Sequence, residues 1–431
     1  MSGRPLARAA VAAAAALLAA PLLTAPAAHA APAGDGGWTG TWGTAPAPAA
    51  PSGVSHDGIA DRTVRMIVHT SAAGGELRLR LSNAHGTAPL VLGRTTVALA
   101  RSATAPAAAA DSLRTVTFDG GAAGTTVPVG AEAVSDPLPF DVPAGGDLLV
   151  SVHLPRATGP MTWHWLAQQT SWISQPGDHT ADADGTAFPQ SETSWFFLTG
   201  VDVRGKGARG TVVALGDSQT DGVGSTPNGN GRWTDALARR LAADEATRGL
   251  GVLNEGIGGN RILRDGSETD RPQRGTSALG RLERDVADRP GVRTAVLYEG
   301  INDLQLAPNA TSAQVLDGLR AMADRLHAKG IRVVVGTLTP FKDSPFYTPQ
   351  AEQARGEVNA ALRSPAARET FDAVVDFDAA ARDTADPQRV RADFDGGDHI
   401  HLNDAGYRAL AAAVPLSALT GPAPTAHGST S

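Results

Sequence analysis

The 431-residue sequence contains no cysteine. Disulfides, thiolate metal sites, a cysteine nucleophile and lipid attachment at an N-terminal cysteine are therefore excluded, and core packing must hold the fold. The chain also lacks an excess of positive charge: 37 Lys and Arg face 44 Asp and Glu, for a net charge of −7. A nucleic-acid partner, which requires a basic face, is not expected. Long runs of like charge are absent. Beyond the first thirty residues, no apolar run is long enough to cross a bilayer. His69, His85, His179 and His327 show no metal-ligand spacing, so no metal is expected. With 42% hydrophobic residues, the chain has apolar material for two domains of ordinary size.

Residues 1–30 read as a secretory signal peptide. Arg4 and Arg8 precede the apolar stretch 9–23, and Ala28-His29-Ala30 offers a small-x-small cleavage site before Ala31. An exported, soluble protein without a membrane anchor is expected. Residues 31–61 are rich in Ala, Pro and Gly and predict an extended segment, with Trp38 and Trp42 pinning it to a folded surface. Residues 62–204 read mostly as strands, at 63–70, 76–82, 95–100, 114–118, 147–154 and 195–203, separated by Gly/Pro/Asp clusters. That pattern predicts a β-sandwich or jelly roll. Residues 205–210 form a Gly-rich linker. From 211 to 420 the pattern becomes strands (211–215, 251–254, 294–298, 332–338, 373–377) alternating with helices (233–243, 278–287, 312–329, 350–363), with a last helix at 403–416. Such alternation predicts an α/β domain with a parallel sheet covered on both faces. Residues 421–431, rich in Pro, Ser and Thr, predict a disordered tail.

Four polar clusters follow strands of the second domain or precede its last helix: 216–218 (Gly-Asp-Ser), 254–260, 299–303 and 398–403. The carboxyl edge of a parallel sheet is where ligands gather, so the four can converge. Acyl transfer by a nucleophile needs a hydroxyl, a base, a group that orients the base, and donors for the developing oxyanion. Ser218 offers the hydroxyl, His401 the base and Asp398 the orienting carboxylate. The backbone N–H groups of Ser218 and Gly259 and the side-chain amide of Asn302 can form the oxyanion hole. Each cluster alone has a plainer reading: a common turn, a glycine-rich turn, a helix cap at Asn302-Asp303, a solvated loop before the final helix. Four together, in this order, argue for a site. His399 is the rival base and Gly258 the rival oxyanion glycine.

The four clusters resemble those of the SGNH, or GDSL, hydrolases, and the resemblance spans about 211–419. It implies a flavodoxin-like three-layer α/β/α domain that hydrolyses esters without a metal or cofactor. Ser218 matches the first-block nucleophile, Gly259 the second-block glycine, Asn302 the third-block asparagine, and Asp398 and His401 the Asp-x-x-His pair. Three positions depart from the common pattern: Gln219 stands where Leu is frequent, Ile301 where Gly is frequent, and His399 follows Asp398 where Gly is common. The N-terminal β domain and the 299–303 wording are similar to secreted bacterial enzymes likened to xylan-associated acyl esterases. This similarity implies a plant-polysaccharide or other acylated carbohydrate substrate. The sequence shows no clear apolar lid, which favours short acyl groups, acetyl above all, on a small-molecule or polysaccharide ester, and a monomer is expected. Lipase or arylesterase activity is the alternative within the class. Outside it stands a carbohydrate-binding protein on a degenerate scaffold. Trp38, Trp42, Trp163, Trp165, Trp172 and Trp195 could stack on sugars, although core packing is the commoner role of such residues.

Overall fold

The computed structural model describes residues 37–421, together with residues 1 and 3. Apart from residues 1 and 3, the expected signal peptide lies outside the described residues, as do residues 422–431 of the expected tail.

The alternating segment at 76–82 folds as the strand Gly74–Ser82, with Leu77, Leu79 and Leu81 fully buried. Leu198–Arg204 pairs with it antiparallel, and Thr39–Gly43 pairs on the far side of Leu198–Arg204. A second sheet runs in the order Gln190–Glu192, Ser171–Pro176, Arg62–His69, Asp147–Leu154, Thr95–Leu99, Arg114–Val116. Val64, Met66 and Val68 from Arg62–His69, and Leu148, Val150 and Val152 from Asp147–Leu154, share one core with Leu77, Leu79, Leu81, Val201 and Val203 of the first sheet. Two antiparallel sheets packed through their inner faces make a β-sandwich. Within 31–61, the residues around Trp38 and Trp42 do more than extend along a surface: Thr39–Gly43 is a sheet strand, and the two tryptophans are 5% and 7% exposed. Strands such as Leu138–Val142 and Ser171–Pro176 lay hidden in the sequence because proline, here Pro139 and Pro176, marks a segment as a loop or an edge.

The second part is a five-stranded parallel sheet in the order Leu250–Gly256, Gly210–Gly216, Val292–Tyr298, Arg332–Gly336, Ala373–Val375. Successive residues of one strand serve opposite layers. Val213 and Leu215 pack with Leu282, Leu319, Met322 and Leu362, whereas Val212 and Ala214 pack with Trp233, Leu237, Tyr407 and Leu410. This is the three-layer α/β/α arrangement, and it explains why the strands read as unbroken apolar runs. The helices begin where their caps dictate. Thr311 and Gln314 form a capping box at Ser312–His327, Thr348 caps Pro349–Arg363 with proline at its first turn, and Asn403 caps Asp404–Ala413. The helix expected over 278–287 is α-helical only for Ala278–Leu282 and continues as a π-turn, Glu283–Ala287.

The two parts meet backbone to backbone. A Cβ at Gly251 would lie 1.9 Å from the Gly40 carbonyl oxygen, so glycine is required for this approach. Thr211 Oγ1 accepts from the Gly40 N–H at 2.9 Å, and Ser71 Oγ accepts from the Val252 N–H at 2.8 Å. Arg289, 4% exposed, crosses the interface: its Nη2 donates to the Thr44 carbonyl at 3.5 Å and its Nη1 stands 3.8 Å from Glu132 Oε1, while its Nε is 3.0 Å from Glu255 Oε1.

Candidate active site

The strand Gly210–Gly216 is buried along its whole length. Its last residue must be glycine, because a Cβ at Gly216 would stand 2.4 Å from the Tyr298 carbonyl oxygen. One helical turn, Ser218–Asp221, follows, capped by Asp217, whose side chain accepts from the Gln219 N–H at 2.9 Å, and closed by Gly222 in the left-handed region. The next strand in the chain, Leu250–Gly256, adds on one side of Gly210–Gly216 and the following one, Val292–Tyr298, on the other, so the turn sits at the topological switch point, where α/β sheets open a crevice. Ser218 is at its mouth, 8% exposed.

His401 arrives from the loop before the last helix, and its Nε2 lies 2.8 Å from Ser218 Oγ. Its Nδ1 is 2.6 Å from Asp398 Oδ2. A carboxylate can only accept there, so Nδ1 carries the proton and Nε2 is left to accept from the serine hydroxyl. The three-residue spacing has a local cause. Asp398 Oδ1 also accepts the N–H groups of His401, at 2.8 Å, and Ile400, at 3.2 Å, folding the loop around the carboxylate. Burial opposes ionisation of Asp398, but the hydrogen bond and charge of His401 and these N–H groups outweigh it and hold the carboxyl at about 2. His399 sits at φ 65° and turns instead to Asp395, its Nδ1 2.6 Å from Oδ2.

The two candidate glycines separate in the same way. The Gly258 N–H donates to Asp221 Oδ2 at 3.0 Å. Gly259, at φ 76°, keeps its N–H without an acceptor among the described residues and lines the cavity over Ser218. Asn302 lines that cavity too. Its Nδ2 is buried with no partner, while its Oδ1 accepts from Gln305 Nε2 at 3.0 Å. A buried, unpaired donor is costly, and one aimed at a reaction centre is poised for a charge that appears only during reaction. The structure thus brings Ser218, His401, Asp398, Gly259 and Asn302 together.

Other contacts escaped the sequence. Gln219, read there only as a departure, reaches across the site and donates from Nε2 to the Ile400 carbonyl, tying the serine turn to the histidine loop. Ile301 fills an apolar cluster with Phe341, Ala351 and Ile400, which accounts for its size where glycine is frequent. His164, from the β-sandwich, bridges the Ala45 carbonyl at Nδ1 (3.0 Å) and Asp221 Oδ1 at Nε2 (2.9 Å). Since Asp221 also holds Gly258, a buried chain runs from the sandwich to the glycine loop; both His164 and Asp221 are 2% exposed. Burial and then the charge of Asp217 push the Glu299 carboxyl well up; both its oxygens lack a hydrogen-bond partner among the described residues, and Arg281 Nη2 stands 3.9 Å from Oε2. Of the tryptophans, Trp38, Trp42, Trp172 and Trp195 are core residues, Trp163 donates to the Pro48 carbonyl at 2.8 Å, and Trp165 alone of the six lines the cavity. Among the described residues, no group of three or more His, Cys, Asp or Glu could hold a metal ion, and no helix is long and apolar enough to cross a membrane.

Residues 214–409 match the model of the GDSL-like lipase/acylhydrolase family. No curated protein matches the chain. Solved structures similar to it include the native aryl esterase of M. smegmatis, at 19% identity and a TM-score of 0.37 over 47% of this chain and 95% of that one. Est24, a carbohydrate acetylesterase from Sinorhizobium meliloti, is 18% identical with a TM-score of 0.36 over 47% and 94%. A GDSL-like lipase from Bacteroides thetaiotaomicron is 19% identical with a TM-score of 0.36 over 49% and 88%. Residues 214–409 thus form a GDSL-like lipase/acylhydrolase domain, the domain of a carboxylic ester hydrolase.

Proposed function

We propose that this hydrolase works through an acyl-enzyme on Ser218 and removes short acyl groups, acetyl above all, from small or carbohydrate alcohols outside the cell. One observation carries the mechanism: the Ser218–His401–Asp398 line, at 2.8 and 2.6 Å, opens into the same cavity as the unpaired amide of Asn302. His401 takes the Ser218 proton as Oγ attacks the ester carbonyl, and the carbonyl oxygen becomes an anion facing Asn302 Nδ2 and the N–H groups of Gly259 and Ser218. Collapse expels the alcohol, which receives the proton from His401. Water then enters, gives its proton to His401 and attacks the acyl carbon, and Ser218 Oγ leaves as the hydroxyl. Asp398 holds the imidazole in the needed tautomer throughout.

Size supports a short acyl group. The cavity over Ser218 measures about 240 Å³, small for a long lipid chain. The burial of Trp38, Trp42, Trp172 and Trp195 weakens the reading of the sandwich as a sugar-stacking module. Export rests on Arg4, Arg8 and the apolar stretch before Ala31; sequencing the N-terminus of protein recovered from culture medium checks it, with Ala31 expected first. The mechanism is tested with Ser218→Ala on p-nitrophenyl acetate. Loss of turnover and of fluorophosphonate labelling is expected, and wild-type turnover would remove Ser218 from the chemistry. A live His401→Ala beside a dead His399→Ala would reassign the base.

A further inference from the structure

The cavity over Ser218 is lined by two arginines, Arg271 and Arg274, and by no carboxylate among the described residues. This is unusual in a chain of net charge −7. By contrast, Arg281, Arg284, Arg289, Arg355 and Arg363 each meet a carboxylate. Arg271 and Arg274 have no side-chain acceptor among the described residues. Arg274 is partly buried and packs on the oxyanion loop, since a Cβ at Gly259 would stand 2.8 Å from its Nε. Arg261, 4% exposed, adds a third positive charge nearby; its Nη2 donates to the Ala307 carbonyl and its Nη1 is buried without a partner. Burial, then Arg271 and Arg261, disfavour the charge on Arg274, and the more distant Asp270 offsets this only in part. Three acids act from farther off, Asp270 on Arg274 and Asp303 and Glu268 on Arg261, and none is within ion-pair distance of them. Asp303 is engaged by the N–H groups of Ile262 and Leu263. The rest of the wall is largely apolar, with Trp165, Leu166, Val223, Leu306 and Phe346. In such surroundings an unpaired guanidinium attracts an anion strongly, and its fork fits a carboxylate.

We infer that this site is built for esters bearing a carboxylate, which Arg271 and Arg274 hold while the ester carbonyl rests against Gly259 and Asn302. The inference rests on Ser218 being the nucleophile and specifies the substrate of that same site. The contact of Arg274 with Gly259 sets the anion close to the reacting carbonyl, on either the acyl or the alcohol half of the ester.

Two matched pairs of probes distinguish the halves. 4-Acetoxybenzoate against its methyl ester places the charge on the alcohol side; p-nitrophenyl hydrogen succinate against p-nitrophenyl methyl succinate places it on the acyl side. In at least one pair the anionic member is expected to show a kcat/KM about tenfold higher at low salt, the scale of one charge-assisted hydrogen bond. Added salt should shrink that preference. In Arg271→Gln, Arg274→Gln and the double variant the ratio should fall toward one, and Arg274→Lys should restore part of it. Three results overturn the inference: no preference for the anion in either pair, a preference untouched in the double variant, or equal losses on charged and neutral members. Equal losses would make Arg274 a support of the oxyanion loop. The neutral esters keep the two readings apart, because their hydrolysis and its loss in Ser218→Ala test the nucleophile whatever the charge ratio shows.

Discussion

Asn302→Ala removes an amide whose Nδ2 is buried and bonds to nothing in the resting protein. Its contribution to stability is therefore small. The one bond lost is the acceptor contact of Oδ1 with Gln305 Nε2 at 3.0 Å, which contributes about 1 kcal/mol. Trimming the side chain adds a modest packing loss, so the variant should remain folded. Its contribution to catalysis should be large, because the donor finds its acceptor only when the carbonyl oxygen becomes an anion. Loss of one such donor costs about 3–4 kcal/mol, or roughly 10²- to 10³-fold in kcat. The ground-state carbonyl is a weaker acceptor, so KM should change little. The measurement is kcat and KM on p-nitrophenyl acetate beside a urea melt. Asn302→Asp supplies a control of nearly equal shape that replaces the donor with an acceptor and should fall at least as far. A folded Asn302→Ala with kcat within threefold of wild type would show that the amide does not face the oxyanion, and the reasoning from its unpaired state would fail.

Two further outcomes follow from buried contacts. His164→Ala leaves Asp221 Oδ1 without its buried partner and frees the Asp221–Gly258 link, so kcat on p-nitrophenyl acetate should drop by about tenfold with KM nearly constant, and His164→Gln should recover part of the loss; a fall in melting temperature with kcat intact would confine His164 to a structural role. Burial, then the Arg284 guanidinium 3.3 Å away, holds the His85 imidazole down at about 4 instead of 6.5. Below pH 6.5 the unfolded chain takes up a proton that the folded chain refuses, so this contribution is complete above pH 6.5 and is lost as pH falls toward 4. The shift is worth at most about 3 kcal/mol; urea melts at pH 7 and 4.5 should show the decline, and His85→Gln should flatten it.

How much of this was legible in the sequence depended on the distance over which each feature is determined. The parallel strands could be read because both faces are buried, which forces runs such as Val212-Val213-Ala214-Leu215 and leaves no alternation to misread. The Asp398–His401 pair could be read because one carboxylate serves the turn and the imidazole three residues away. The spacing from Asp398 and the Leu402-Asn403 that follows favoured His401 over His399 in the sequence, and the structure shows where the rival goes: His399, at positive φ, turns to Asp395. Gln219 illustrates the limit. The sequence shows that it is not leucine, but its acceptor at Ile400 is 181 positions away.

The sandwich was the least legible part, and its relation to the site follows from the same reasoning. Strand alternation predicts that a β domain exists, but it carries no information about what that domain touches. The contact that matters is a two-residue strand, Trp163–His164, too short for any periodicity, meeting an aspartate 57 positions later. A histidine between two tryptophans has an obvious local reading as a satisfied polar group, and that reading is correct as far as it goes. Its hydrogen-bonding partner, however, belongs to the serine turn and in turn fixes Gly258, which leaves Gly259 as the neighbour with a free N–H. Gly40 and Gly251 let the two backbones close to the distance this requires. The β-sandwich is thus a wall of the site rather than an appended module, and displacing it should disturb the glycine loop before it disturbs Ser218 and His401, which are held by Asp217, Gln219 and Asp398 within the parallel domain.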